Sequence, residues 1–146
     1  MERADWLLLM LGLRVTNSPS STLDPVRIQK GMFLFSQLSE VSQPEKYDFV
    51  PHIYGPYSRE LRRDLDTLVE EGAVRESDVD GYSWKAYSLT ESGVERARGV
   101  LSSSNENDVA SLLAIKERVC QASFSSLLKD VYEEYPDFAV NSIFRR

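Results

Sequence analysis

The tightest constraint on the fold is one dipeptide. Asp80-Gly81 stands between two stretches that favour extended backbone, residues 73–76 and 82–89. Asp-Gly readily supplies the positive φ angles of a tight turn, so the pair predicts an antiparallel hairpin. Helical patterns flank it on both sides. Upstream, Leu61, Leu65, Leu68 and Val69 recur at the spacing of one helix face. Ser58 is placed to cap that helix, Glu60 falls in its first turn, and Gly72 is a left-handed stop. Downstream, Thr90 caps a further helix with Val94, Ala97, Val100 and Leu101 on one side.

Two helices precede this unit. Residues 4–13 are apolar on nearly all sides through Trp6, Leu7, Leu8, Leu9, Met10 and Leu11, the pattern of a buried helix. Residues 16–22 read as a polar loop. Asp24-Pro25 then gives an N-cap followed by proline at the first helical position, opening a helix to about Leu38. Its apolar surface comes from Val26, Ile28, Phe33, Phe35 and Leu38. Residues 49–54 form a short extended segment that Pro51 confines to an edge, and Gly55-Pro56 turns the chain. Beyond residue 101, a polar stretch at 102–107 serves as linker. Asp108 starts a helix with Val109, Leu112, Leu113 and Val119. Ser123 starts another with Phe124, Leu127, Leu128, Val131 and Tyr132, and Pro136 ends it.

Composition narrows the function classes. With 146 residues the chain is about one domain, and 42% hydrophobic with 27% charged residues is an ordinary globular balance. One Cys and one His exclude a disulfide framework and a multi-cysteine or His-rich metal centre. The run from Trp6 to Leu11 is far short of the ~20 residues of a membrane span, and its acidic and basic flanks are not those of a signal peptide. A cytoplasmic location is expected. A net charge of −6 disfavours strong non-specific binding to nucleic acid.

The order helix, helix, short strand, helix, hairpin, helix is that of a winged helix, with the hairpin as wing and the helix at 58–71 as recognition helix. Tyr87-Ser88-Leu89-Thr90-Glu91-Ser92-Gly93 resembles the junction at which the wing of many winged-helix proteins returns to a helix. The expected fold is α+β and mostly helical. A winged-helix-like core occupies 1–101, and a C-terminal helical extension, 102–146, packs back on it within one domain.

A wider resemblance covers roughly residues 25–72 and 127–142. Ile28-Gln29-Lys30-Gly31-Met32-Phe33-Leu34-Phe35 resembles a Leu-Gln-Lys helix of bacterial YwgA-like proteins. Phe49 to Ser58, ending Tyr54-Gly55-Pro56-Tyr57-Ser58, resembles their most specific segment, and Glu60-Leu61 to Leu68 the helix after it. Val131-Tyr132-Glu133-Glu134-Tyr135-Pro136-Asp137-Phe138-Ala139, then Asn141-Ser142, resembles their C-terminal signature. That family is similar to the SocA/Panacea antitoxin superfamily. The resemblance implies proteins that neutralise a partner toxin by protein contact.

Candidate site residues are few. Arg59, Arg62 and Arg63 cluster at the start of the third helix, where a winged helix meets the major groove. Asp64, Asp66, Glu70 and Glu71 interleave with them, and a solvated, ion-paired face is the plainer reading. The hairpin is no basic wing: Glu76, Asp78 and Asp80 stand against Arg75 and Lys85. Tyr54 and Tyr57 bracket Gly-Pro and either anchor a partner or wedge the core, the second being favoured. His52 and Cys120 read as structural, Asp78 and Asp80 as a solvated turn, and Tyr82, Trp84 and Tyr87 as packing residues. No phosphate loop, nucleophile elbow or metal-ligand cluster is present.

The expected protein is therefore non-enzymatic and binds no cofactor or metal. It acts as a protein-interaction module, antitoxin-like or adaptor, toward a toxin or effector. The alternative is a sequence-specific DNA-binding regulator using the helix at 58–71. The apolar faces of the last two helices cover the first helix or make a homodimer. No membrane contact is expected.

Overall fold

The computed structural model describes residues 1–15 and 22–143. The polar loop expected at 16–22 lies almost wholly outside them. The apolar run becomes helix α1, Arg3–Gly12. Trp6 through Leu11 are all buried, because α2 (Pro25–Leu38), α3 (Arg59–Glu70), α4 (Glu91–Ser102) and α5 (Glu106–Gln121) pack around α1. A helix apolar all round needs such a central place. Lys116, on α5, closes its C-terminal end by donating to the Leu11 and Leu13 carbonyls at 3.2 and 2.5 Å.

Helix α2, Pro25–Leu38, starts as its cap dictates: the Asp24 carboxylate accepts from the Arg27 N–H at 2.9 Å. Ile28 to Phe35 are buried without a break, whereas Leu38 is exposed. The extended segment that follows is a two-stranded hairpin in its own right. Strand β1, Val50–His52, pairs antiparallel with β2, Gly55–Tyr57. The turn expected at Gly55-Pro56 is instead at Ile53-Tyr54. Gly55 takes the left-handed conformation, φ 86°, as the first residue of the return strand.

Ser58 then caps α3, Arg59–Glu70, accepting from the Leu61 N–H. Gly72, φ 78°, ends it. A second hairpin pairs β3, Val74–Asp78, with β4, Lys85–Leu89. Leu23 adds a third rung beside it, exchanging backbone hydrogen bonds with Tyr87 at 2.9 and 2.8 Å. Thr90 caps α4, Glu91–Ser102, through the Gly93 N–H. The buried face of α4 is Gly93 and Ala97; Val94 and Leu101, expected on that side, are exposed. Gly93 sits so close to Ala73 that an added Cβ would lie 2.0 Å from its carbonyl oxygen.

Helix α5, Glu106–Gln121, starts two residues earlier than its apolar pattern predicts, because Asn105 caps it from within the polar stretch. It packs chiefly on α2 and also on α1. Helix α6, Phe124–Glu134, is capped by Ser123 and buries Leu127, Leu128, Val131 and Tyr132. Of the apolar residues expected on these two helices, Leu112, Val119, Leu127, Leu128, Val131 and Tyr132 are buried within the chain, Val109 and Leu113 are half-buried and Phe124 is exposed. The fold is α+β and mostly helical, with two small antiparallel hairpins. Among the described residues no helix is long and apolar enough to cross a membrane.

Candidate functional site

Two side chains of α2 reach the backbone between β1 and α3. Gln29 Nε2 donates to the Ser58 carbonyl at 3.0 Å, and its Oε1 accepts from the Ser58 N–H at 2.8 Å. Lys30 Nζ donates to the Pro56 carbonyl at 2.9 Å. Both side chains and Ser58 are buried. The C-terminal segment meets the same hairpin from its other side. The Tyr132 ring lies against Gly55, where a Cβ would fall 2.7 Å from Cε1, and the Tyr132 and Ser142 hydroxyls are hydrogen-bonded. Asn141 donates to the Pro51 carbonyl, and the Ile143 N–H to that of Ile53. Tyr135 and Phe138 pack edge-on to Phe33 of α2 at 4.9 and 4.7 Å. The three separate stretches that carry the YwgA-like resemblance therefore converge on the β1–β2 hairpin.

Beside this junction opens a cleft of about 560 Å³. Its walls are the first turns of α2, the β1–β2 hairpin, Ser83-Trp84 before β4, and Phe124 at the start of α6. Large apolar side chains gather at its rim: Ile53, Tyr54, Trp84 and Phe124 line it, and Tyr82 stacks on Trp84 at 4.3 Å between centroids. These five are 39–60% exposed. Tyr54 meets Phe124 edge-on at 5.9 Å, and His52 stacks on Tyr57 at 4.9 Å. Large apolar side chains left exposed together in one concavity are uncommon on protein surfaces.

The polar groups of the cleft are few. Asp24 is held by Arg27, whose guanidinium bonds it at 2.5 Å while also donating to the Val119 and Ala122 carbonyls. Burial pulls the Lys30 amine down to about 7, an effect the neighbouring Asp24 partly offsets.

The expected site residues divide between this cleft and elsewhere. Tyr54 and Tyr57 both line the cleft, Tyr54 exposed and Tyr57 half-buried. Arg62 is folded back: it donates to the Tyr87 hydroxyl at 3.2 Å and pairs with Asp66 at 3.2 Å. Arg59 and Arg63 are exposed, and among the described residues neither forms an ion pair. Lys85 pairs with Asp78 across the β3–β4 hairpin, which holds its amine above the ordinary lysine value. Tyr87 is core, as expected, and its hydroxyl donates to Glu76 at 2.9 Å. Tyr82 and Trp84 are not core, because the return strand begins only at Lys85 and leaves them in the preceding loop. Sequence reasoning missed Gln29 and Lys30. Their signal is two long polar side chains inside an otherwise apolar buried run.

No protein-family model matches the chain. It is 32% identical over 83 residues to "Uncharacterized protein YwgA" of Bacillus subtilis (strain 168), an alignment covering 56% of this chain and 48% of that protein. The chain thus spans about half the length of the curated relative it matches, and the partial similarity agrees with the YwgA-like resemblance of its motifs.

Proposed function

We propose that this protein is a non-catalytic interaction module whose cleft docks an apolar segment of a partner protein. The observation that carries the reading is the group of five exposed large apolar side chains around one concavity. Burying such rings supplies most of the energy of small interfaces, about 1–3 kcal/mol for each well-packed anchor. The resemblance to SocA/Panacea antitoxins supports an antitoxin-like or adaptor role toward a toxin or effector. A winged-helix core, with Leu23, β3 and β4 as its small sheet, is part of the same reading. In the cytoplasm it would use the cleft side for protein contact.

The competing reading is a DNA-binding regulator using residues 58–71. Two observations weigh against it. Arg62 is engaged by Tyr87 and Asp66, and the wing carries Glu76, Asp78 and Asp80. Arg59 and Arg63 are what remains in its favour.

Photo-crosslinking in the native host separates the two. Benzoylphenylalanine replaces Tyr54 in the cleft or Arg63 on α3. The expected result is one protein adduct from position 54 that position 63 does not give. A nuclease-sensitive adduct from position 63, with none from position 54, would overturn the reading.

A further inference from the structure

We infer that the cleft takes the C-terminal carboxylate of the partner's chain, with Lys30 as its charge partner. This rests on the docking reading above and names the chemistry of what docks. Lys30 is 2% exposed, yet among the described residues its amine has one hydrogen bond, to the uncharged Pro56 carbonyl. An ammonium carries three donors, and a buried one without a carboxylate is costly. Asp24, on the same wall, does not discharge that need, because Arg27 already holds it through both its N–H and its guanidinium. The first turn of α2, which also lines the cleft, adds the positive end of its dipole. An anion entering here meets Lys30 beside the mutually neutralising Asp24–Arg27 pair, with apolar side chains around them.

A chain terminus fits these walls better than a small acid does. At about 560 Å³ the cleft holds several residues, and its aromatic rim continues outward to Tyr82. A terminal apolar residue fills the space beside Lys30, and the residues before it cover Tyr54 and Trp84. Capture of a terminal carboxylate is a recurring mode of peptide recognition. The lowered proton affinity of Lys30 supports this: a carboxylate beside it would keep the amine protonated through neutral pH.

The test is selection by the full-length protein from two random peptide libraries, one displayed with free C-termini and one with C-termini fused to the carrier. The expected result is enrichment from the free-terminus library alone, with an apolar last residue. Amidating the selected peptide weakens binding about tenfold or more. Lys30→Gln weakens the acid peptide by a similar factor and leaves the amide peptide unchanged. Because Lys30→Gln disturbs a buried clamp, a second readout keeps Lys30 native. Between pH 6 and 9 the acid peptide loses affinity by about tenfold or more and the amide peptide does not. His52→Gln is the background for that series, since Asp24, Arg27, His52, Tyr54 and Tyr57 are the ionisable groups sharing the cleft with Lys30. Equal binding of acid and amide, or enrichment from both libraries alike, overturns the carboxylate and leaves the docking cleft standing. Enrichment from neither library overturns both.

Discussion

Gln29 and Ser58 are joined by two hydrogen bonds at once, the amide of one side chain satisfying both the N–H and the carbonyl of the other residue's backbone. Ser58 is fully buried, so no water replaces the amide if it is lost. The same residue caps α3 through its hydroxyl. One side chain of α2 therefore fixes where the hairpin ends and where α3 begins. Gln29→Leu orphans the Ser58 N–H and leaves the Ser58 carbonyl only the Arg62 N–H, and is expected to destabilise the protein by about 1–3 kcal/mol in urea denaturation.

Lys30 and Lys116 make stability depend on pH in an unusual direction. Burial lowers their amines to about 7 and about 8, while in the unfolded chain both return to 10.5. Between those values the unfolded chain binds more protons than the native one, so stability rises with pH through this window. The gain is complete above the unfolded value and is lost as pH falls through the folded ones. Thermal denaturation from pH 6.5 to 9.5 is expected to show a rising Tm. Lys30→Met removes most of the slope, with a free-energy change on the order of a few kcal/mol.

Gly93 and Gly55 are fixed by close approach. A Cβ at Gly93 would meet the Ala73 carbonyl oxygen at 2.0 Å, a backbone atom that Thr90 N–H already holds. Gly55 combines φ 86° with Tyr132 at 2.7 Å. Alanine at either position is expected to cost about 2–4 kcal/mol or prevent folding. Gly99 lies in the same helix as Gly93 with nothing within 4 Å. Gly99→Ala is expected to stabilise by about 0.5–1 kcal/mol in the same assay.

Trp84 separates stability from binding. It is exposed, so Trp84→Ala leaves the unfolding free energy within about 0.5 kcal/mol of wild type. Partner affinity, measured by calorimetry, falls by at least about tenfold. Arg59→Ala combined with Arg63→Ala leaves that affinity unchanged.

The helix starts were legible because their chemistry is local. Asp24, Ser58, Thr90 and Ser123 each accept from a backbone N–H three residues on, a spacing written in the chain. Asn105 does the same but lies among serines and asparagines, which hid it in a linker. The Gly55-Pro56 turn was misplaced because a left-handed glycine serves equally in a turn and just after one. Pro56 then faces Pro51 across the hairpin, a rung at which neither residue has an N–H to donate. Of the cleft, Tyr54 and Tyr57 stand out in the chain, but the walls around them do not. Nothing along the chain says that Gln29 meets Ser58 or that Tyr132 meets Gly55; only packing brings them together. The exposure of Trp84 likewise depends on where β4 begins.

The central claim is that the partner binds between α2, the β1–β2 hairpin and the wing loop. Amide hydrogen exchange of the protein alone and with the cross-linked partner, purified and added back without the cross-link, tests it directly. The account predicts new protection over residues 52–57 and 82–85, with the exposed face of α3 at residues 59–63 unchanged. Protection confined to residues 59–63 and the tip of the wing, with the cleft unchanged, would contradict it.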